Sequence, residues 1–138
     1  DLDNLDLRSR MSRAALISGL SVSNTRTALA HSLSYAITIE HGIPHGIACS
    51  FSLPDLMRCV IGFDPNCDVA LKQIFGPDLE KGADDLTEML KKLGVNTCAQ
   101  DYGVTPKKWR EMVKFALEGE RGRNFIGDPK VIIETLTA

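Results

Sequence analysis

The chain has no CxxC pair, no long apolar run, no basic excess and few aromatic rings, and each lack excludes something. Its four cysteines, Cys49, Cys59, Cys67 and Cys98, stand 10, 8 and 31 residues apart, a spacing that matches no zinc ribbon. At 138 residues the chain can bury a core without disulfide staples, so the cysteines read as reduced thiols and a cytoplasmic location is expected. No apolar stretch approaches the roughly 20 residues that a membrane-spanning helix needs. No basic-then-apolar leader opens the chain. Lys and Arg total 16 against 18 Asp and Glu, and a formal net charge of −2 argues against nucleic acid or an anionic membrane as partner. With 43% hydrophobic and 25% charged residues the composition is that of an ordinary folded domain, which excludes a disordered or collagen-like chain. There is no internal repeat and no linker tract, so residues 1–138 read as one domain. The chain opens on Asp1 and already reads as helix from Leu5 to Leu20, so it is expected to be a fragment of a longer protein.

What is present is helical punctuation. Leu5, Ala15, Leu16 and Leu20 form one apolar stripe, with Arg8, Arg10 and Arg13 elsewhere. A second helix is expected from about Ser23 to Ile39, ending near Gly42 and Pro44. A third begins at Pro44-His45 and runs towards Val60, bent or broken at Pro54. Asp64-Pro65 caps a short helix closed by Gly76-Pro77. Asp78 opens a clear amphipathic helix carrying Leu79, Ala83, Leu86, Leu90 and Leu93, with Gly94 after it. Thr105-Pro106 starts a helix with Trp109, Met112, Val113 and Ala116 on one side, and Asp128-Pro129 precedes a last helix from Val131 to Leu136. No segment alternates with period two for long enough to predict a strand. The fold class is all-α, a bundle of six to eight helices, with its core drawn from these stripes.

The three histidines, His31, His41 and His45, fall within fifteen residues of one another. Two helices joined by a tight Gly/Pro turn can bring His31 and His45 to one point, and imidazole is the commonest protein ligand for borderline divalent metals. The bland alternative is that they are half-buried histidines bonded to backbone. At 100° per residue, Asn24, Thr27, Ser34, Tyr35 and Thr38 lie within about 60° of His31, while Leu29, Leu33, Ala36 and Ile37 lie opposite. That polar arc carries hydroxyls, an amide and rings but no Lys or Glu, which suits a ligand cavity better than a solvent face. Cys49, one turn after His45, reads as a small buried filler rather than a ligand. Arg26, opposite His31 on an apolar side, reads as the partner of a buried acid.

The run from Gly19 to Tyr35 (GLSVSNTRTALAHSLSY), followed by Gly42–Cys49 (GIPHGIAC) and Leu53-Pro54, resembles the C-terminal helical domain of the iron-containing (group III) alcohol dehydrogenases. In that family a helix carries one metal-ligating His, and a Pro-His-Gly carries another fourteen residues on; here His31 and Pro44-His45-Gly46 stand at that spacing. The resemblance is tight over residues 19–54 and loose elsewhere. It implies an oxidoreductase that uses a divalent metal, iron or zinc, and NAD or NADP on a small aldehyde or alcohol, with His31 and His45 as two metal ligands. The family's other two ligands, an Asp and a His on an upstream helix, are absent, as is its Gly-Gly-Gly-Ser cofactor loop. A missing N-terminal cofactor domain is therefore implied, and the chain alone is expected to bind metal weakly and to show no dehydrogenase activity.

Where many relatives carry a second His four residues after the first, this chain has Tyr35, which could bond the substrate oxygen or relay a proton, or simply cap a polar cavity. His41 reads as a rim residue or proton relay, or as a plain exposed His. Asn24, Thr27, Arg121 and Arg123 are candidate substrate contacts, the two arginines on a basic loop that could reach an anionic substrate. The stretch from Thr25 to Tyr35 is similar to relatives that reduce phosphonoacetaldehyde. A homo-oligomer is expected, through the arc from Asn24 to Thr38 and its apolar flanks. The rival reading is a free-standing helical module that binds metal or a partner chain without catalysis; an upstream α/β segment in the open reading frame would decide against it.

Overall fold

The computed structural model describes residues 3–137. Among them are eight α-helices and no strand: α1 Leu5–Asn24, α2 Leu29–His41, α3 His45–Ser50, α4 Leu53–Val60, α5 Pro65–Phe75, α6 Leu79–Lys92, α7 Pro106–Glu118 and α8 Pro129–Leu136. Two 3-10 turns, Ala99–Tyr102 and Gly122–Asn124, flank α7. The all-α expectation is met.

Local chemistry sets most helix starts. Asp64, Asp78, Thr105 and Asp128 each accept a backbone N–H of the first turn through the side chain, and proline occupies the first turn of α5, α7 and α8. The expected long third helix is two: α3 ends at Ser50, and α4 restarts at Leu53 with Pro54 in its first turn. The expected second helix starts later than its polar pattern suggests. Residues 25–28 are non-helical, Asn24 ends α1, and its amide donates back to Leu20 O at 2.8 Å. Asn24 is therefore not on the polar arc of α2. Thr25, whose hydroxyl donates to Ser21 O, ends the first helix by local side-chain competition with the backbone ladder.

The core lies around α2. Leu29, Leu33 and Ile37 are fully buried with Phe51, Val113 and Ile132, as predicted for the far side of that helix. The Phe51 ring meets Tyr102 at 5.4 Å and Trp109 at 5.5 Å between centroids, and the Trp109 indole N–H donates to Leu136 O, locking α7 to α8. A smaller cluster of Met57, Leu79 and Ala83 joins α4 to α6. Leu93, expected on the buried stripe, is exposed beyond the end of α6. The largest departure is α1. None of its residues is buried, and the stripe of Leu5, Leu16 and Leu20 faces outward with Met11, Ile17 and Val22. Exposed apolar side chains are densest on α1, and Tyr35 and Ile39 on α2 are exposed as well.

Candidate metal centre

Gly42 turns the chain between the two histidine helices. It takes the left-handed conformation (φ 67°) at the end of α2 and donates to Thr38 O at 3.1 Å; Pro44 then precedes α3. The turn folds α3 back along α2, so His31, in the first turn of α2, meets His45 at the start of α3. Their ring centroids are 4.8 Å apart at an interplanar angle of 89°. Cys49, one turn after His45, comes to the same point. Its Sγ lies 3.4 Å from His31 Nδ1 and 3.5 Å from His45 Nε2. One donor atom from each of His31, His45 and Cys49 lies within 4.8 Å of the others, and among the described residues this is the convergent set of three.

The surroundings orient these rings. Ser34, fully buried, donates to His31 O at 2.8 Å and sits 3.5 Å from His45 Nδ1, which leaves His45 Nε2 towards the cluster. Tyr35 stacks edge-on against His31 at 5.3 Å. Arg121 lies over the Tyr35 ring at 5.2 Å, and its Nε donates to Thr27 Oγ1 at 3.0 Å. Burial, then the nearby His45 and Arg121 charges, push the His31 pKa below its ordinary value. His31 is thereby favoured in the neutral form that binds metals.

Two cavities open beside His31. One, of about 380 Å³, is lined by Val22, Arg26, Thr27, Glu120, Arg121 and Asn124. The other, of about 480 Å³, is apolar, with Phe75, Leu86 and Phe125 in its wall and Cys49 at its edge.

The structure brings His31, His45, Tyr35, Thr27 and Arg121 together. Asn24 stays at the end of α1. Arg123 is exposed and lines neither cavity. His41 ends α2, ten residues from His31 or roughly 15 Å along the axis, with its ring beside Gly103. Arg26 pairs with Glu120, and both side chains are exposed, so the expected buried acid is not its partner. The polar arc is not sealed either: Tyr35 is exposed, as is His45 facing it from α3. Cys49, read from the sequence as a small buried filler, is only half-buried and stands beside both histidines, since its spacing of four residues after His45 puts the two on one face of α3.

Residues 1–132 match the family model described as Fe-containing alcohol dehydrogenase family, C-terminal. The chain belongs to the Fe-containing alcohol dehydrogenase family. It is similar to 1,3-propanediol dehydrogenase from Klebsiella pneumoniae, with 23% identity over 124 residues covering 83% of this chain and 32% of that protein. Its fold is similar to that of an alcohol dehydrogenase from Oenococcus oeni, with a TM-score of 0.79 and 21% identity over 96% of this chain and 38% of the other. The chain thus spans about a third of the length of these relatives. The match along nearly the whole chain disfavours a free-standing helical module. No helix among the described residues is long and apolar enough to cross a membrane.

Proposed function

We propose that the chain is the metal-holding helical part of an NAD- or NADP-dependent alcohol dehydrogenase or aldehyde reductase, with His31 and His45 as metal ligands. The convergence of these two imidazoles, on a chain of this family, carries the reading. The donor chemistry fits the metal: imidazole suits iron(II) and zinc, and His31 is held towards its neutral form. A divalent ion there supplies Lewis acidity at a carbonyl or alkoxide oxygen. A nicotinamide, held by an N-terminal cofactor domain, supplies or takes the hydride.

The chain's own residues hold and orient. Ser34 fixes the His45 ring, and Tyr35 stands one turn from His31 with its phenol as a hydrogen-bond donor to the substrate oxygen. The cavity of about 380 Å³ receives a small aldehyde or alcohol. There the Arg121 guanidinium, tethered by Thr27, favours a substrate with an anionic end such as a phosphonate. In the assembled enzyme the apolar side of α1 is covered, by the cofactor domain or by a second copy of the chain.

Calorimetric titration with Zn²⁺ tests the ligand assignment. Saturable one-to-one binding is expected for the chain and should disappear in His31→Ala and in His45→Ala; binding unchanged in both variants ends the reading. In a dehydrogenase that carries this domain beside its cofactor domain, the same substitutions are expected to abolish aldehyde-dependent oxidation of the reduced nicotinamide.

A further inference from the structure

We infer that Cys49 Sγ is a third protein donor to this metal centre, so that the chain alone offers a His₂Cys set suited to zinc. The inference rests on the assignment of His31 and His45 as ligands, and adds to it. With Zn–S near 2.3 Å and Zn–N near 2.05 Å, a tetrahedral angle puts sulfur and nitrogen about 3.5 Å apart. The sulfur here stands 3.4 Å from His31 Nδ1 and 3.5 Å from His45 Nε2. Both sulfur–nitrogen distances match a tetrahedral edge, and the three donors lie within 4.8 Å of one another, so the two imidazoles draw together when an ion binds. Backbone packing sets these distances: Cys49 is tied to His45 by one turn of α3, and Gly42 and the buried Ser34 hold α3 on α2. The side chain is only half-buried and opens to the cavity beside His31, so an ion can reach it.

The chemistry follows from the donor set. When an ion binds, the Cys49 S–H bond breaks, its proton passes to solvent, and the thiolate donates its electron pair, with no change in oxidation state. The thiolate supplies the anionic charge that two imidazoles lack. It also softens the site, favouring zinc over the iron that harder oxygen ligands accommodate. In the 138-residue chain three protein donors leave the fourth position to water or to a ligand from another domain. Binding by the 138-residue chain is therefore tighter than two histidines alone would give.

Cobalt(II) spectroscopy tests this. The chain titrated with Co²⁺ is expected to show visible d–d bands of a tetrahedral ion together with a near-ultraviolet thiolate charge-transfer band. In Cys49→Ser the charge-transfer band should vanish while d–d absorption persists. Affinity should fall by at least the roughly 10–100-fold that loss of an outer-shell partner costs. Visible bands without charge transfer in the unaltered chain overturn the role of Cys49 and leave the two histidines standing. A charge-transfer band that survives Cys49→Ser overturns it as well. No Co²⁺ or Zn²⁺ binding by the unaltered chain overturns the role of Cys49, because a His₂Cys set would hold the ion without the upstream ligands that two histidines need. A second measurement needs no variant at Cys49: iodoacetamide labelling mapped by mass spectrometry should be slowed at Cys49 by Zn²⁺, and less so in His31→Ala. Equal labelling with and without Zn²⁺ overturns the inference.

Discussion

Helices α1 and α2 are separated by four residues, yet they live in different environments. The twenty residues of α1 bury none of their side chains, while the thirteen of α2 bury Leu29, Leu33, Ser34 and Ile37. Both have apolar residues at helical spacing. What differs is the partner: α2 lies against α3 and α7, whereas among the described residues no apolar side chain of α1 is buried. An apolar stripe names the face that would be buried, and only the presence of a neighbour makes it core. The comparison also separates the two ends of the candidate substrate region. Tyr35 and His31 stand on the packed helix, while Asn24 and Arg26 belong to the exposed segment.

The sharpest break between the two helices is truncation at the core. Ile37→Ala on α2, where the side chain is 0% exposed, is expected to cost about 2–5 kcal/mol in urea unfolding. A cost below about 1 kcal/mol would mean that α2 is not the centre of the core.

Next in size is Gly122→Ala, in the turn that carries Arg121 to the site. A Cβ there would lie 2.1 Å from Ala116 O and 2.6 Å from Leu117 Cα, both backbone atoms that cannot swing aside. The expected loss is about 1–3 kcal/mol by thermal unfolding. A variant as stable as the parent would show that the turn after α7 is not packed this tightly.

A smaller effect concerns charge at the seam of α4 and α6. Burial raises the Asp55 pKa above the ordinary carboxylate value, against the pull of Arg58, which also pairs with Asp84 at 2.6 Å. Because the folded-state value is the higher one, the contribution of Asp55 to stability is present below its unfolded pKa near 3.9 and is lost as pH rises through the folded value. Asp55→Asn should therefore flatten the stability profile in that window, with a change of about 0.5 kcal/mol, in the range of partly exposed ion pairs. Urea midpoints at two pH values on either side of the window check it. A variant whose profile runs parallel to that of the parent would remove burial as the cause.

The smallest effect belongs to α1. Leu16→Ala, with the leucine 65% exposed, is expected to stay within about 0.5 kcal/mol of the parent. A loss comparable to that of Ile37→Ala would show that α1 has a partner in solution, and sedimentation would then identify a second copy of the chain.

The sequence by itself determined where most helices start, because an N-cap works within a few residues. Asp64, Asp78, Thr105 and Asp128 each bond a backbone N–H of the turn that follows, and no distant contact is needed. It also determined the buried side of α2 and α7, since helical periodicity places Leu33, Ile37, Trp109 and Val113 on faces that water disfavours. The pairing of His31 with His45 was legible from their spacing across a Gly/Pro turn. Tertiary structure alone decided the rest. The stripe of α1 stays exposed because burial needs a second surface, which periodicity cannot supply. Asn24 leaves the polar arc because the break at residues 25–28 resets the helical phase by which the arc was reckoned. Cys49 joins the histidines because Gly42 folds α3 onto α2 at one particular angle, and a donor distance of 3.4 Å depends on that angle rather than on any count of residues.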